Sequence, residues 1–119
     1  MERILENWKT QLRKGYLDLC ILLIIFRERR VYGFDLIEKL KNLGLPLKEG
    51  TVYPLLTRMS VEGWLESEWV LEGAKGHPRK FYSLSPKGLS VKDQMASEFS
   101  EQIQIFEHLV QKNKNIEGI

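Results

Sequence analysis

Cysteine is almost missing: the single thiol, Cys20, stands inside the apolar run from Leu19 to Phe26. One cysteine makes no internal disulfide, and in such a run it behaves as a small buried hydrophobe rather than a redox centre. Long apolar stretches are missing too. That run is far shorter than the roughly 20 residues needed to cross a bilayer, and Met1-Glu2-Arg3 does not have the plan of a secretory leader, so the expectation is a cytoplasmic protein with no membrane partner. Histidine is scarce, with His77 and His108 far apart, no Cys-His pair at metal spacing and no glycine-rich phosphate loop. Neither a metal nor a cofactor is expected, and an enzyme is disfavoured. An excess of one charge is also absent. Eighteen basic against sixteen acidic residues leave a formal net charge of +2, too little to announce a nucleic-acid partner from the total alone.

What is present is ordinary globular material: 119 residues, 43% hydrophobic and 29% charged, enough for one core but hardly two. Ile4, Trp8 and Leu12 recur every fourth residue on one helix face. From Tyr16 to Arg29 the chain is apolar on almost all sides, which reads as a second, buried helix with Gly15 as a bend or boundary before it. Tyr32 to Leu43 sets Phe34, Leu36, Ile37 and Leu40 among charges and stops at Gly44, a short amphipathic helix. Lys48 to Glu62 places Val52, Leu55, Leu56 and Met59 on one side and turns Tyr53, Thr57 and Arg58 outward. Pro54 is tolerated only near a helix start, so this helix begins between Lys48 and Thr51.

Gly63 closes that helix, and Trp64 to Leu71 and Arg79 to Leu84 read as two strands joined by a turn rich in glycine, with burial expected for Trp64 or Trp69. Ser85-Pro86 supplies an N-cap and a first helical position for a last helix that runs to about Lys112. The order is helix, helix, helix, helix, hairpin, helix. The expected class is therefore mainly α with a small β-hairpin (α+β), a winged helix-turn-helix with an N-terminal helix and a long C-terminal one. Residues 1–85 form the DNA-binding unit in this reading, and residues 86–119 form the dimerisation helix and a short tail.

Two short helices joined by a glycine-containing turn and followed by a hairpin can place the second helix in the major groove. Its outer face is polar and nearly uncharged, suited to base edges and phosphates that would repel carboxylates. Thr51, Tyr53, Thr57 and Arg58 are the candidates there. The turn and second strand add Lys75, Arg79 and Lys80 with no acid between Gly73 and Leu84, a basic cluster that suits phosphate or, on charge alone, simple solvation.

Lys14-Gly15-Tyr16-Leu17-Asp18-Leu19, Tyr32-Gly33-Phe34-Asp35-Leu36, the run Gly50 to Met59, Glu62-Gly63, Glu68-Trp69, Pro78 to Leu84 and Pro86-Lys87-Gly88 follow one another in order. Together they resemble the signatures of the PadR family of transcriptional regulators, over roughly Trp8 to Leu109. The resemblance implies a regulator, usually a repressor, that dimerises through its last helix and binds an inverted-repeat operator in double-stranded DNA. It places Tyr32, Gly50, Thr51, Tyr53, Arg79 and Lys80 where the family meets DNA. Lys48 stands where the family often has a small polar cap, which removes a good N-cap from the recognition helix.

Val91, Met95, Phe99, Ile103, Phe106 and Val110 form an apolar stripe along the last helix that must be buried against something. A second copy of the chain is the expected cover, with Met95, Phe99, Ile103, Phe106 and Val110 at the interface; packing of the whole stripe within one chain is the alternative. Because the PadR family includes effector-released sensors, the resemblance also marks Trp8 and Phe99 as a candidate site for a small apolar effector between subunits. The competing functional class is a winged helix that docks on protein without DNA specificity, since the fold alone names no partner.

Overall fold

A computed structural model describes residues 1–45, 47–71 and 76–116, with side chains up to Asn113. Its elements are α1 (Glu2–Glu28), β1 (Val31–Tyr32), α2 (Gly33–Asn42), α3 (Glu49–Val61), β2 (Leu65–Leu71), β3 (Pro78–Leu84) and α4 (Pro86–Ile116). The three strands form one antiparallel sheet in the order β1-β3-β2. The expected winged helix-turn-helix is present: α2 and α3 are its two short helices and β2–β3 its wing.

Two differences from the sequence reading have physical reasons. First, Gly15 does not bend or end anything, and the two expected N-terminal helices are one element of 27 residues. An interior glycine costs about 1 kcal/mol relative to alanine. Burying Ile21, Leu22 or Ile25, each fully enclosed, contributes roughly 1.5–3 kcal/mol, so the helix runs through. Second, Val31 and Tyr32 form a strand opposite Tyr82 and Phe81 before α2 begins at Gly33. Two residues are too few to show a strand's alternation, so the sequence pattern starts the helix at Tyr32 instead.

The core lies where the second half of α1 meets α2, α3 and the sheet. Ile21, Leu22 and Ile25 share one buried cluster with Leu36, Ile37 and Leu40 of α2, Val52, Leu56 and Met59 of α3, and Val31, Leu65 and Tyr82 of the strands. α3 starts at Glu49, inside the expected window, with Lys48 as a cap residue that makes no side-chain capping bond. Pro54 therefore falls beyond the first turn, where its missing N–H leaves the Gly50 carbonyl without its usual helical donor.

Ser85 caps α4 as expected: its Oγ accepts from the Gly88 N–H at 3.0 Å and donates to the Gly63 carbonyl. Gly88 is required by close approach, because a Cβ there would overlap the carbonyl of Trp64. The helix then runs antiparallel to α1, with Lys92 Nζ 3.7 Å from the Phe26 ring centroid and Phe99 stacked on Tyr16 at 5.1 Å. Val91 and Met95 pack on the chain's own core. Beyond Phe99 the helix leaves it, which gives the molecule extents of 66 × 33 × 22 Å.

Candidate nucleic-acid interface

Helical geometry sorts the residues of α3. Val52, Leu56 and Met59 are fully buried, and Gly50, Thr51, Tyr53, Pro54 and Thr57 lie exposed on the other faces. A Cβ at Gly50 would meet nothing within 4 Å, so the glycine leaves the start of this face open to close approach. Thr57 Oγ1 donates to the Tyr53 carbonyl at 3.1 Å. With its proton committed to its own helix, Thr57 faces solvent as an acceptor and a methyl group.

Tyr53 leans off the helix onto α2. A Cβ at Gly33 would come within 2.9 Å of the Tyr53 ring, so glycine at the first position of α2 is what lets the ring lie there. The same ring borders a cleft of about 380 Å³ lined by Tyr32, Gly33, Tyr53, Trp69, Arg79 and Lys80, together with Pro78 and Tyr82. The Arg79 guanidinium sits 4.9 Å from the Tyr32 ring centroid, and Lys80 Nζ is 5.5 Å from Tyr82 and 5.8 Å from Trp69. Tyr32, Tyr53, Arg79 and Lys80, picked from three separate stretches of sequence, thus share one cleft between recognition helix and wing.

Among the described residues no acid lines this cleft. Burial, reinforced by the nearby Tyr32 and Glu49, pushes the Tyr53 phenol up; burial, and then Tyr53, pushes up Tyr82. Both hydroxyls therefore stay protonated through neutral pH and can donate hydrogen bonds to an anion. Two cations and protonated phenols around such a recess make a chemically sensible cradle for phosphate oxygens.

Arg58 does not join that group. Its Nη2 donates to Asp18 Oδ1 at 2.9 Å and Oδ2 at 2.7 Å, tying α3 to α1, and its guanidinium lies 5.9 Å from the Trp64 ring. Lys75 lies outside the described residues. Sequence reasoning does not single out Gly33, Trp69 or Tyr82 for this cleft. Gly33 has a signal, a glycine at the very start of an amphipathic helical pattern, but its partner ring comes from twenty positions away.

The expected effector pair is not brought together within one chain. Phe99 borders an apolar groove of about 460 Å³ between α1 and α4 with Gly15, Asp18, Leu19, Met95 and Glu98, whereas Trp8 stands further along α1 and does not line it. Along α4, Met95 and Phe99 are partly covered by their own chain, Val110 is half-buried, and Ile103 and Phe106 are exposed. Leu109 and Ile105 are exposed beside them, and so are Ile4, Trp8 and Leu12 on α1. Among the described residues no helix is long and apolar enough to cross a membrane, and no group of three or more His, Cys, Asp or Glu side chains converges.

Residues 21–94 match the transcriptional regulator PadR-like family. Among solved structures, a PadR-like transcription factor from Bacteroides fragilis is 42% identical, with 87% of this chain and 98% of that chain covered and a TM-score of 0.72. A PadR-like transcriptional regulator from Bacillus cereus is 34% identical, covering 85% and 97% with a TM-score of 0.76. A PadR family regulator from Eggerthella lenta is 30% identical, covering 92% and 94% with a TM-score of 0.74. No curated protein matches the chain. A helix-turn-helix with a short third strand, a basic wing beside an uncharged recognition face, and a match to the family over most of the folded core agree: the chain belongs to the PadR-like family of transcriptional regulators.

Proposed function

We propose that this regulator binds an inverted-repeat operator in duplex DNA as a homodimer and acts as a cytoplasmic repressor. α3 enters the major groove with Gly50, Thr51, Tyr53 and Thr57 towards the DNA, and Arg79 and Lys80 of the wing, with Tyr32, hold the phosphate backbone. Residues 1–85 serve as the DNA-binding unit and residues 86–119 as the dimerisation segment. The observation that carries this reading is the cleft, free of acids among the described residues, that gathers Tyr32, Tyr53, Arg79 and Lys80 along one flank of α3.

Homodimerisation is supported by what a single chain leaves uncovered. Ile103, Phe106 and Leu109 project from the core on α4, and Ile4, Trp8 and Leu12 project on α1, two apolar stripes at the same end of the molecule. Pairing through them would set two copies of α3 about one DNA turn, roughly 34 Å, apart. A small apolar effector is proposed for the groove at Phe99, with Trp8 supplied by the second subunit; repression is what the family resemblance implies.

The test is duplex binding across a series of salt concentrations. The wild-type chain is expected to lose affinity steeply as salt rises, and Arg79→Ala/Lys80→Ala to weaken binding on every sequence and flatten the log–log slope by about 0.9 for each phosphate no longer neutralised. Weak duplex binding with no salt dependence and no preference among sequences would instead make the fold a protein-docking module and overturn the proposal.

A further inference from the structure

The recognition helix has two flanks, and the wing occupies only one. Thr51 and Tyr53 are two residues apart on α3, about 200° around the helix, so they bound its outer face from opposite sides. Tyr53 faces the wing cleft. Thr51 lines a different recess, of about 230 Å³, whose other walls are Thr10, Arg13, Lys14 and Leu17 of α1 and Leu47 of the α2–α3 connection.

The α1 wall of that recess is basic. From Lys9 to Leu17 α1 holds three cations and no acid; Glu6, one turn earlier, is in an ion pair with Lys9 at 3.6 Å, and Asp18, just beyond, is held by Arg58. Lys14 is exposed and Arg13 half-buried. Arg13 Nε donates to the Lys9 carbonyl at 3.3 Å, which uses one of its five donors and leaves the terminal guanidinium nitrogens for an anion. Thr10 Oγ1 donates to the Glu6 carbonyl at 3.0 Å and so presents lone pairs rather than a proton.

The position of these residues around α1 separates them from the dimer surface. Ile4, Trp8 and Leu12 repeat every four residues on one face, whereas Thr10, Arg13, Lys14 and Leu17 fall about half a turn away on the opposite face. Leu17 anchors that second face in the core, which fixes its rotation against α3. A second subunit seated on Trp8 would therefore leave Arg13 and Lys14 uncovered.

A helix lying in the major groove, about 12 Å wide, runs between two phosphate backbones. We propose that the Arg13–Lys14 face of α1 is a second backbone contact, engaging the phosphates on the flank of α3 opposite the wing, so that α3 is clamped from both sides. The inference rests on the reading of this chain as a DNA binder and assigns to α1 a role that neither the recognition helix nor the wing supplies.

Arg13→Ala/Lys14→Ala is the test, measured beside wild type and Arg79→Ala/Lys80→Ala on a matched and a scrambled duplex over the same salt series. The expected result is a slope flattened by about 1.8, because two phosphates keep their counterions, with equal weakening on both duplexes. Sedimentation and circular dichroism should match wild type, and the charge-preserving Arg13→Lys/Lys14→Arg should restore the slope. A wild-type slope in the alanine variant, while the wing variant behaves as expected, overturns this α1 contact alone. A wild-type chain that shows no salt-dependent binding overturns the DNA reading itself.

Discussion

Asp18 is an acid placed in the most apolar stretch of α1, and it is buried with both carboxylate oxygens held by Arg58. Arg58 reads as an outward cation from helical spacing alone; with α1 and α3 side by side it is the partner of that carboxylate. A buried carboxylate demands a hydrogen-bonding cation, so the pair is half legible in the sequence. Which cation answers is not, because forty positions separate them. Since the guanidinium remains half-exposed, removing it should cost less than a fully buried pair would. Arg58→Ala is expected to lower the unfolding free energy by about 1–3 kcal/mol in urea denaturation, with the salt slope of duplex binding unchanged. A slope reduced by one phosphate at unaltered stability would return Arg58 to the DNA face.

At the scale of elements, α1 shows where reading by pattern stops. Periodicity locates all the helices and the wing, since each carries several apolar positions at a fixed repeat. It divides α1 because a glycine between two differently buried segments looks like a boundary, and it passes over β1 because two residues have no period. Burial decides both cases: the downstream half of α1 is enclosed by the other elements of the core, and β1 is held by its bonds to β3. Gly15 is left as a helix-interior glycine with no positive φ and nothing within 4 Å of a Cβ. Gly15→Ala should therefore stabilise the isolated chain by up to about 1 kcal/mol, read as a higher urea midpoint at constant m. A lower midpoint would show that α1 needs the glycine for its own path. Because Gly15 lines the groove at Phe99, the same variant probes whether that groove must admit another molecule.

For the whole molecule, the division of α4 decides how the proposed dimer is best tested. Phe99 stacks on Tyr16 of its own chain, so a charge there would damage the fold and any subunit contact together. Phe106 is 63% exposed, and Trp8 59%. Phe106→Glu is therefore expected to leave unfolding of the chain nearly unchanged while shifting sedimentation from dimer to monomer at micromolar concentration and weakening operator binding. A dimer of undiminished affinity would remove Phe106 from the interface. The unbroken α1 gives this arrangement a mechanical property. Its 27 residues, at 1.5 Å each, make a bar of about 40 Å, largely buried between Leu17 and Ile25 and bare at the near end, where Ile4 and Trp8 stand. Asp18, with Arg58 attached, sits at the edge of the buried stretch, about 21 Å along the axis from Ile4, so α1 is a beam clamped at its root with one free arm. In the proposed dimer, motion imposed at that bare end would be absorbed in the free arm before it reached the recognition helix, so the spacing of the two half-sites would be a stiff property of the protein rather than a compliant one.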